Sequence, residues 1–199
     1  MLSRWNRPTR RQSPRGMGCG RQEKGLTDEI LITEYDILFC IMKLQPNRNY
    51  KSDDVVMTPK PLAEAIIKHF HPDGKILEPC RGAGAFMTPA SDWCEISEGR
   101  DFLLLDNGKH YDWIVTNPPW SKIRDFLTKS FEVADNVVFL MTVNHAFTKA
   151  RIRLLREKGF GIKEILFCDM PKDFPQSGFQ LGAVHYQRGY TGQVDFNYL

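Results

Sequence analysis

Lys75-Ile76-Leu77-Glu78-Pro79-Cys80-Arg81-Gly82-Ala83-Gly84-Ala85-Phe86 is the run on which the fold turns. It opens as a short apolar strand, tightens into a glycine turn and then suggests the start of a helix. Only glycine lets backbone approach a ligand so closely, so Gly82 and Gly84 predict a binding crevice beyond the end of the strand. Open α/β sheets bind nucleosides at that place. Glu78 stands at the strand tip, four residues before Gly82, and can accept hydrogen bonds from amino or hydroxyl groups of such a ligand. No third glycine completes GxGxxG and no GKS or GKT follows, which argues against a dinucleotide or nucleotide-phosphate site. A lone GxG occurs in many loops, so the turn needs support from the rest of the chain.

Beyond residue 60 helix and strand alternate, as a doubly wound, mostly parallel α/β sheet requires. Leu62, Ile66 and Phe70 share one face of a first helix beginning near Thr58, and Ile123, Phe126, Leu127, Phe131 and Ala134 share one face of a later helix. Val137 to Val143, Ile162 to Cys168 and Ala183 to Gln187 read as buried strands. The connection Pro171-Lys172-Asp173-Phe174-Pro175-Gln176-Ser177-Gly178-Phe179 is long for a hairpin and carries two aromatics. It is expected either to cover a bound base through Phe174 and Phe179 or to form a Pro-rich cap over the sheet.

Another apolar strand, Tyr111 to Thr116, runs directly into Asn117-Pro118-Pro119-Trp120. An ordinary strand-ending turn would also use Asn and Pro. A chemical reading is sharper. The exocyclic amine of adenine is a poor nucleophile because its lone pair is delocalised into the ring, so a catalyst must hold the nitrogen where that pair can localise. The Asn117 side-chain oxygen and the Pro118 carbonyl can each take one N–H, while Pro118 and Pro119 fix the turn and remove competing donors. Trp120 offers an indole face to an extruded base, a stack worth about 1–3 kcal/mol.

With these motifs in order, residues 55 to 189 resemble a class I S-adenosylmethionine-dependent methyltransferase of the adenine-N6 DNA type. The resemblance implies a Rossmann-like, seven-stranded sheet and S-adenosylmethionine as cofactor. Glu78, Pro79, Gly82, Gly84 and Phe86 match the family's cofactor loop, and Asn117 to Trp120 match its catalytic Asn-Pro-Pro-aromatic motif. Thr58 and Pro59 match an element that touches the methionine end of the cofactor. Trp93-Cys94-Glu95-Ile96 resembles the second strand, with Glu95 on the ribose hydroxyls and Ile96 over the adenine; Asp101-Phe102 resembles the pair that recognises the cofactor's adenine. Glu95 lies 17 residues beyond Glu78, near the interval expected for a ribose-binding carboxylate. Plain surface charge is the competing reading for Glu95 and Asp101.

The implied activity is methyl transfer to adenine N6 in DNA. Related enzymes use the same geometry on RNA bases or protein glutamine, and a non-catalytic nucleic-acid-binding subunit is the alternative from another class. Little room remains for sequence recognition. Residues 87 to 116 must supply strands and cofactor contacts, and few residues follow Gln187, so recognition should be relaxed or rest with a partner subunit.

The 199 residues, 42% of them hydrophobic, suit one domain at residues 51–199. Residues 1–50 are expected to be a disordered or loosely packed extension, because the first 25 hold seven Arg or Lys against one Glu and almost no apolar periodicity. That segment reads as an organelle transit peptide, a nucleic-acid arm, or sequence upstream of a later start at Met42. Its charge of +6 leaves −3 of the overall +3 for the remainder, so nucleic-acid contact requires local patches. One candidate is Lys149, Arg151, Arg153, Arg156 and Lys158 on a helix opened by Thr148 and closed by Gly159, with a solvated helix face as the plain reading. Five cysteines without CxxC spacing imply a reducing interior, and the expected setting is cytoplasmic, of bacterial or phage type. No Cys/His spacing suggests a metal, which methyl transfer from a sulfonium does not need, and Ile30 to Met42 is too short and polar to span a membrane.

Overall fold

The protein is described from a computed structural model that covers residues 54–199. The expected extension at residues 1–50 and the start at Met42 lie outside the described residues, as does the segment Ile30 to Met42.

Helix α1, Lys60–Phe70, starts at Pro59 with a further proline in its first turn and stops at His71, which adopts the left-handed conformation at φ 46°. It buries Ala63, Ile66 and Phe70. Leu62, expected on that face, is only half-buried. Strand β1, Ile76–Glu78, follows, then β2, Ser91–Trp93, and β3, Tyr111–Thr116. Helix α2, Ile123–Val133, leads into β4, Ala134–Thr142, so Ala134 belongs to the strand and Ser130 takes a place on the buried helix face. Helix α3, Lys149–Lys158, is capped by the Thr148 side chain, which accepts from the Arg151 N–H, and ends at Gly159 at φ 69°. Strands β5, Phe160–Cys168, β6, Leu181–Arg188, and β7, Asp195–Tyr198, complete the chain.

The strands form one seven-stranded sheet in the order β2-β1-β3-β4-β6-β5-β7. β2, β1, β3 and β4 run parallel, β6 is antiparallel to both neighbours, and β7 runs parallel to β5. Successive side chains alternate between two cores, as a pleated strand demands. Val137, Phe139 and Met141 of β4 face the core beneath α2 and α3, whereas Val138 and Leu140 face the core that α1 covers. Because the chain leaves β1 toward β2 and then returns to its other side as β3, a crevice opens at the carboxyl ends of β1 and β3. The glycine turn and the Asn117 turn are the two segments that emerge there.

Three expectations need correction. No helix follows the glycine turn: residues 82–86 form tight turns, and Gly82 and Gly84 at φ 48° and 80° hold a backbone that cannot continue helically. The second strand is Ser91–Trp93, earlier than Trp93 to Ile96, because the Glu95 side chain accepts from the Ser97 N–H and caps a helical turn at Ile96–Glu98. The sheet also continues past Gln187. Its seventh strand is β7, held against β5 by Phe167, which stacks on Phe196 and Tyr198 at centroid distances of 6.1 and 5.1 Å.

Candidate active site

The crevice between the two turns is a cavity of about 310 Å³, within the range that holds small molecules and cofactors. Gly82 and Phe86 border it from the glycine turn, Glu95, Ile96, Asp101 and Phe102 from the β2–β3 connection, Thr58 from the entry segment, and Asn117 and Pro119 from the turn after β3. Residues scattered over sixty positions of sequence thus meet in one space. Pro79 borders it too, whereas Pro59, Glu78, Gly84, Pro118 and Trp120 do not.

The glycine turn is clamped from below. The Gly82 N–H donates to Glu95 Oε2 at 2.8 Å, and Glu95 Oε1 accepts from the Ser97 hydroxyl at 2.7 Å and the Ser97 N–H at 3.1 Å. These donors, Ser97 foremost, hold the Glu95 carboxyl below its ordinary range, so it stays ionised. One carboxylate therefore fixes the loop and faces the cavity. Asp101 Oδ1 accepts from the Leu103 N–H at 2.9 Å. Phe102 is buried against Phe126, with ring centroids 5.4 Å apart. At the rim, Arg81 pairs with Glu98, and the Arg81 and Arg100 guanidiniums lie 4.1 and 4.0 Å from the Trp93 ring.

Glu78 sits differently from the strand-tip acceptor expected of it. It is 1% exposed, its Oε1 accepts from the Cys80 N–H at 3.1 Å, and Oε2 has no partner among the described residues. Burial pushes its carboxyl up to about 8, against the pull of the Thr116 hydroxyl and the Cys80 N–H, so at neutral pH it is largely protonated.

At the other end, the Asn117 amide is oriented by two contacts. Its Nδ2 donates to the Val56 carbonyl at 3.2 Å, and its Oδ1 accepts from the Trp120 indole N–H at 3.2 Å; the same N–H reaches the Leu140 carbonyl at 3.2 Å. Since Val56 offers only an acceptor and Trp120 only a donor, the amide has one consistent orientation, with an Oδ1 lone pair to spare. Pro118 is buried. The entry segment is tied to the same turn by Asp54, whose carboxylate accepts from the Ser121 N–H at 3.2 Å and from the Ser121 hydroxyl. Asp54 and Val56 escaped the sequence reading because their partners lie more than sixty residues away.

Of the two aromatics in the loop expected to cover a base or cap the sheet, Phe174 packs against Trp120 itself. Phe174 is 3% exposed and meets Trp120 edge to face at 6.3 Å, so the two rings already fill the space between them. Phe179 is half-buried. The basic helix differs from a continuous patch. Arg151 is buried at 7% exposure, its Nε donating to the His145 carbonyl at 3.3 Å, and Lys158 pairs with Glu132 at 2.9 Å. Lys149, Arg153 and Arg156 are exposed. Among the described residues no group of three or more His, Cys, Asp or Glu could hold a metal, and no helix is long and apolar enough to cross a membrane.

No protein-family model matches the chain, and no curated protein matches it. Solved structures do. A candidate class I S-adenosylmethionine-dependent methyltransferase from Listeria monocytogenes superposes with a TM-score of 0.56 at 12% identity, covering 76% of this chain and 68% of the other. The M protein of the type I restriction enzyme EcoKI gives 0.54 at 15% identity, over 70% of this chain and 45% of that protein. The modification subunit of a candidate type I restriction enzyme from Vibrio vulnificus gives 0.52 at 13% identity, over 82% and 50%. The chain thus has the Rossmann-like methyltransferase fold and spans about half the length of these two restriction-enzyme subunits.

Proposed function

We propose that the chain is an S-adenosylmethionine-dependent methyltransferase acting on the N6 amine of adenine in DNA. The observation that carries this reading is the single cavity joining the glycine turn to Asn117 at the point where the sheet reverses direction. The cavity fits the cofactor: its volume suits a nucleoside-sized ligand, Ile96 and Phe102 offer apolar surface, and Glu95 and Asp101 bring carboxylates to the same wall. The turn at 82–86 ends in no helix N-terminus, so it provides no dipole for a phosphate. A ligand carrying positive charge is favoured there instead.

S-adenosylmethionine, when bound, supplies a methyl group already activated on a sulfonium. The protein's work is then positioning. Asn117 Oδ1, held by Trp120 and Val56, accepts one N–H of the target amine with its remaining lone pair, and the Pro118 carbonyl accepts the other. Both acceptors draw the nitrogen's lone pair out of the ring system toward the cavity. The amine loses a proton to water after transfer. Trp120, half-buried beside Asn117, is assigned the stacking contact with the base, and Phe174 supports that indole from its edge.

The solved structures that share the fold include subunits described as parts of type I restriction enzymes, which favours DNA over other acceptors. Residues 91–116 are taken up by β2, two helical turns and β3, which favours sequence recognition that is relaxed or supplied by a partner subunit. The test is to incubate the full chain with methyl-labelled S-adenosylmethionine and, separately, unmethylated DNA, total RNA and protein extract, and to quantify methylated nucleosides and methylglutamine by mass spectrometry. N6-methyladenine in the DNA arm is expected. Label confined to RNA or protein would refute the DNA assignment.

A further inference from the structure

The motif leaves one question of acceptor chemistry open: Asn117 and Pro118 grip an NH2 group, yet an NH2 group occurs on adenine, cytosine and glutamine alike. A side chain that distinguishes them has to reach the atoms beside that amine. β3 and β4 run parallel as neighbours, with Thr116 opposite Phe139, so the turns that follow them emerge at the same end of the sheet. The turn after β4, Val143–Ala146, carries His145. Its ring lies 6.5 Å from the Trp120 ring, tilted by 46°, and the Trp120 N–H is the group that orients Asn117.

Three features make this histidine more than packing. It is half-buried, and neither ring nitrogen has a hydrogen-bond partner among the described residues. Its backbone is anchored: the carbonyl accepts from the buried Arg151 guanidinium, which among the described residues has no carboxylate partner. Burial, with the Arg151 charge second, holds the imidazole below its ordinary value, so at neutral pH it is uncharged, with one N–H to donate and one nitrogen to accept. A neutral ring with idle polar atoms, carried on an anchored backbone beside Trp120, suits edge recognition.

We infer that His145 reads the acceptor by donating a hydrogen bond to the ring nitrogen adjacent to the amine that Asn117 holds. This rests on the adenine reading and deepens it. Adenine presents acceptors on both sides of its amine, N1 and N7, whereas cytosine and the side-chain amide of glutamine present one each beside theirs, N3 and the amide oxygen, so a bond on the N7 side is the one that selects adenine. His145 is thus assigned to substrate choice, separate from the cofactor side of the cavity.

The experiment compares wild type, His145→Ala and His145→Asn on DNA whose target adenine is intact, 1-deaza or 7-deaza, with S-adenosylmethionine affinity measured by calorimetry as a control for folding. Wild type is expected to lose about 10- to 100-fold in kcat/KM on one of the two analogues, the usual consequence of leaving one buried hydrogen bond unmade. His145→Ala should lose a similar factor on intact adenine and no longer discriminate against that analogue, with cofactor affinity unchanged. His145→Asn, which keeps an N–H donor, should recover part of the loss. Should His145→Ala prove unstable, the wild-type comparison still decides, since indifference to both analogues overturns the inference. So does a His145→Ala enzyme that matches wild type on intact adenine, or that discriminates as wild type does. Absence of transfer by wild type to any adenine-containing DNA is a separate outcome, and it overturns the underlying substrate reading together with this one.

Discussion

Glu78→Gln should stabilise the protein, and by an amount that grows with pH. In the folded chain Glu78 is fully buried and holds its proton up to about pH 8, whereas in the unfolded chain it ionises near 4.5. The folded state therefore keeps a proton that the unfolded state releases. The stability tied to that proton is complete below pH 4.5 and is lost as pH rises to about 8. At about 1.36 kcal/mol per pKa unit, the whole interval is worth roughly 4 to 5 kcal/mol, of which roughly 3 to 4 falls between about pH 5 and 8. Glutamine preserves the shape, keeps an oxygen for the Cys80 N–H and offers an NH2 to the neighbouring Thr116 hydroxyl. It has no proton to lose. Urea unfolding of both proteins at the two pH values measures the difference directly. The gain on substitution should be about 3 kcal/mol larger at the higher pH. Parallel stabilities, within about 0.5 kcal/mol at both pH values, would show that Glu78 is ionised in the folded protein and that the burial argument fails.

Asn117→Ala should lower methyl transfer about 100- to 1,000-fold, as loss of one oriented group at a reacting centre commonly does, while calorimetry finds S-adenosylmethionine affinity within about twofold of wild type. Gly82→Val and Gly84→Val should separate from each other. Both force a β-branched residue into the left-handed region at a cost of about 1–2 kcal/mol, but only Gly82 borders the cavity, and its Cβ would press on the Met57 sulfur at 3.0 Å, whereas that of Gly84 finds only Met87 at 3.6 Å. Calorimetry should therefore show the larger loss of cofactor affinity at Gly82, and equal losses would refute that division. Asp101→Ala should weaken cofactor binding about tenfold, removing a carboxylate from the cavity wall; unchanged affinity would place the adenine contact elsewhere.

The two turns were legible because glycine and proline act locally: Gly82 and Gly84 do adopt positive φ, and Pro118 and Pro119 do end β3. The long strands β4 to β6 were legible from their apolar runs. What escaped depends on partners distant in sequence. The orientation of Asn117 is set by Val56, sixty-one positions away, and the anchoring of Trp120 by the Leu140 carbonyl. β7 is four residues long and takes its stability from Phe167 of another strand, so four residues of sequence carried too little signal. Arg151 was within reach of pattern reasoning. Leu154 and Leu155 lie three and four positions beyond it, on the buried face of α3, and that spacing places Arg151 beneath the helix with them. Composition favoured a charged patch, and periodicity would have corrected it.

The brevity of β1 and β2 has a consequence for how the molecule breathes. These strands are three residues each, joined by turns without an intervening helix, while β4 and β6 pair along seven consecutive positions at the centre. Amide hydrogens around the glycine turn should accordingly exchange through partial openings long before the central strands yield. A ligand that bridges the turn and the Asn117 end would close those openings, so occupancy would be transmitted as rigidity, and the protein would order its less secure half at the moment it becomes competent to act.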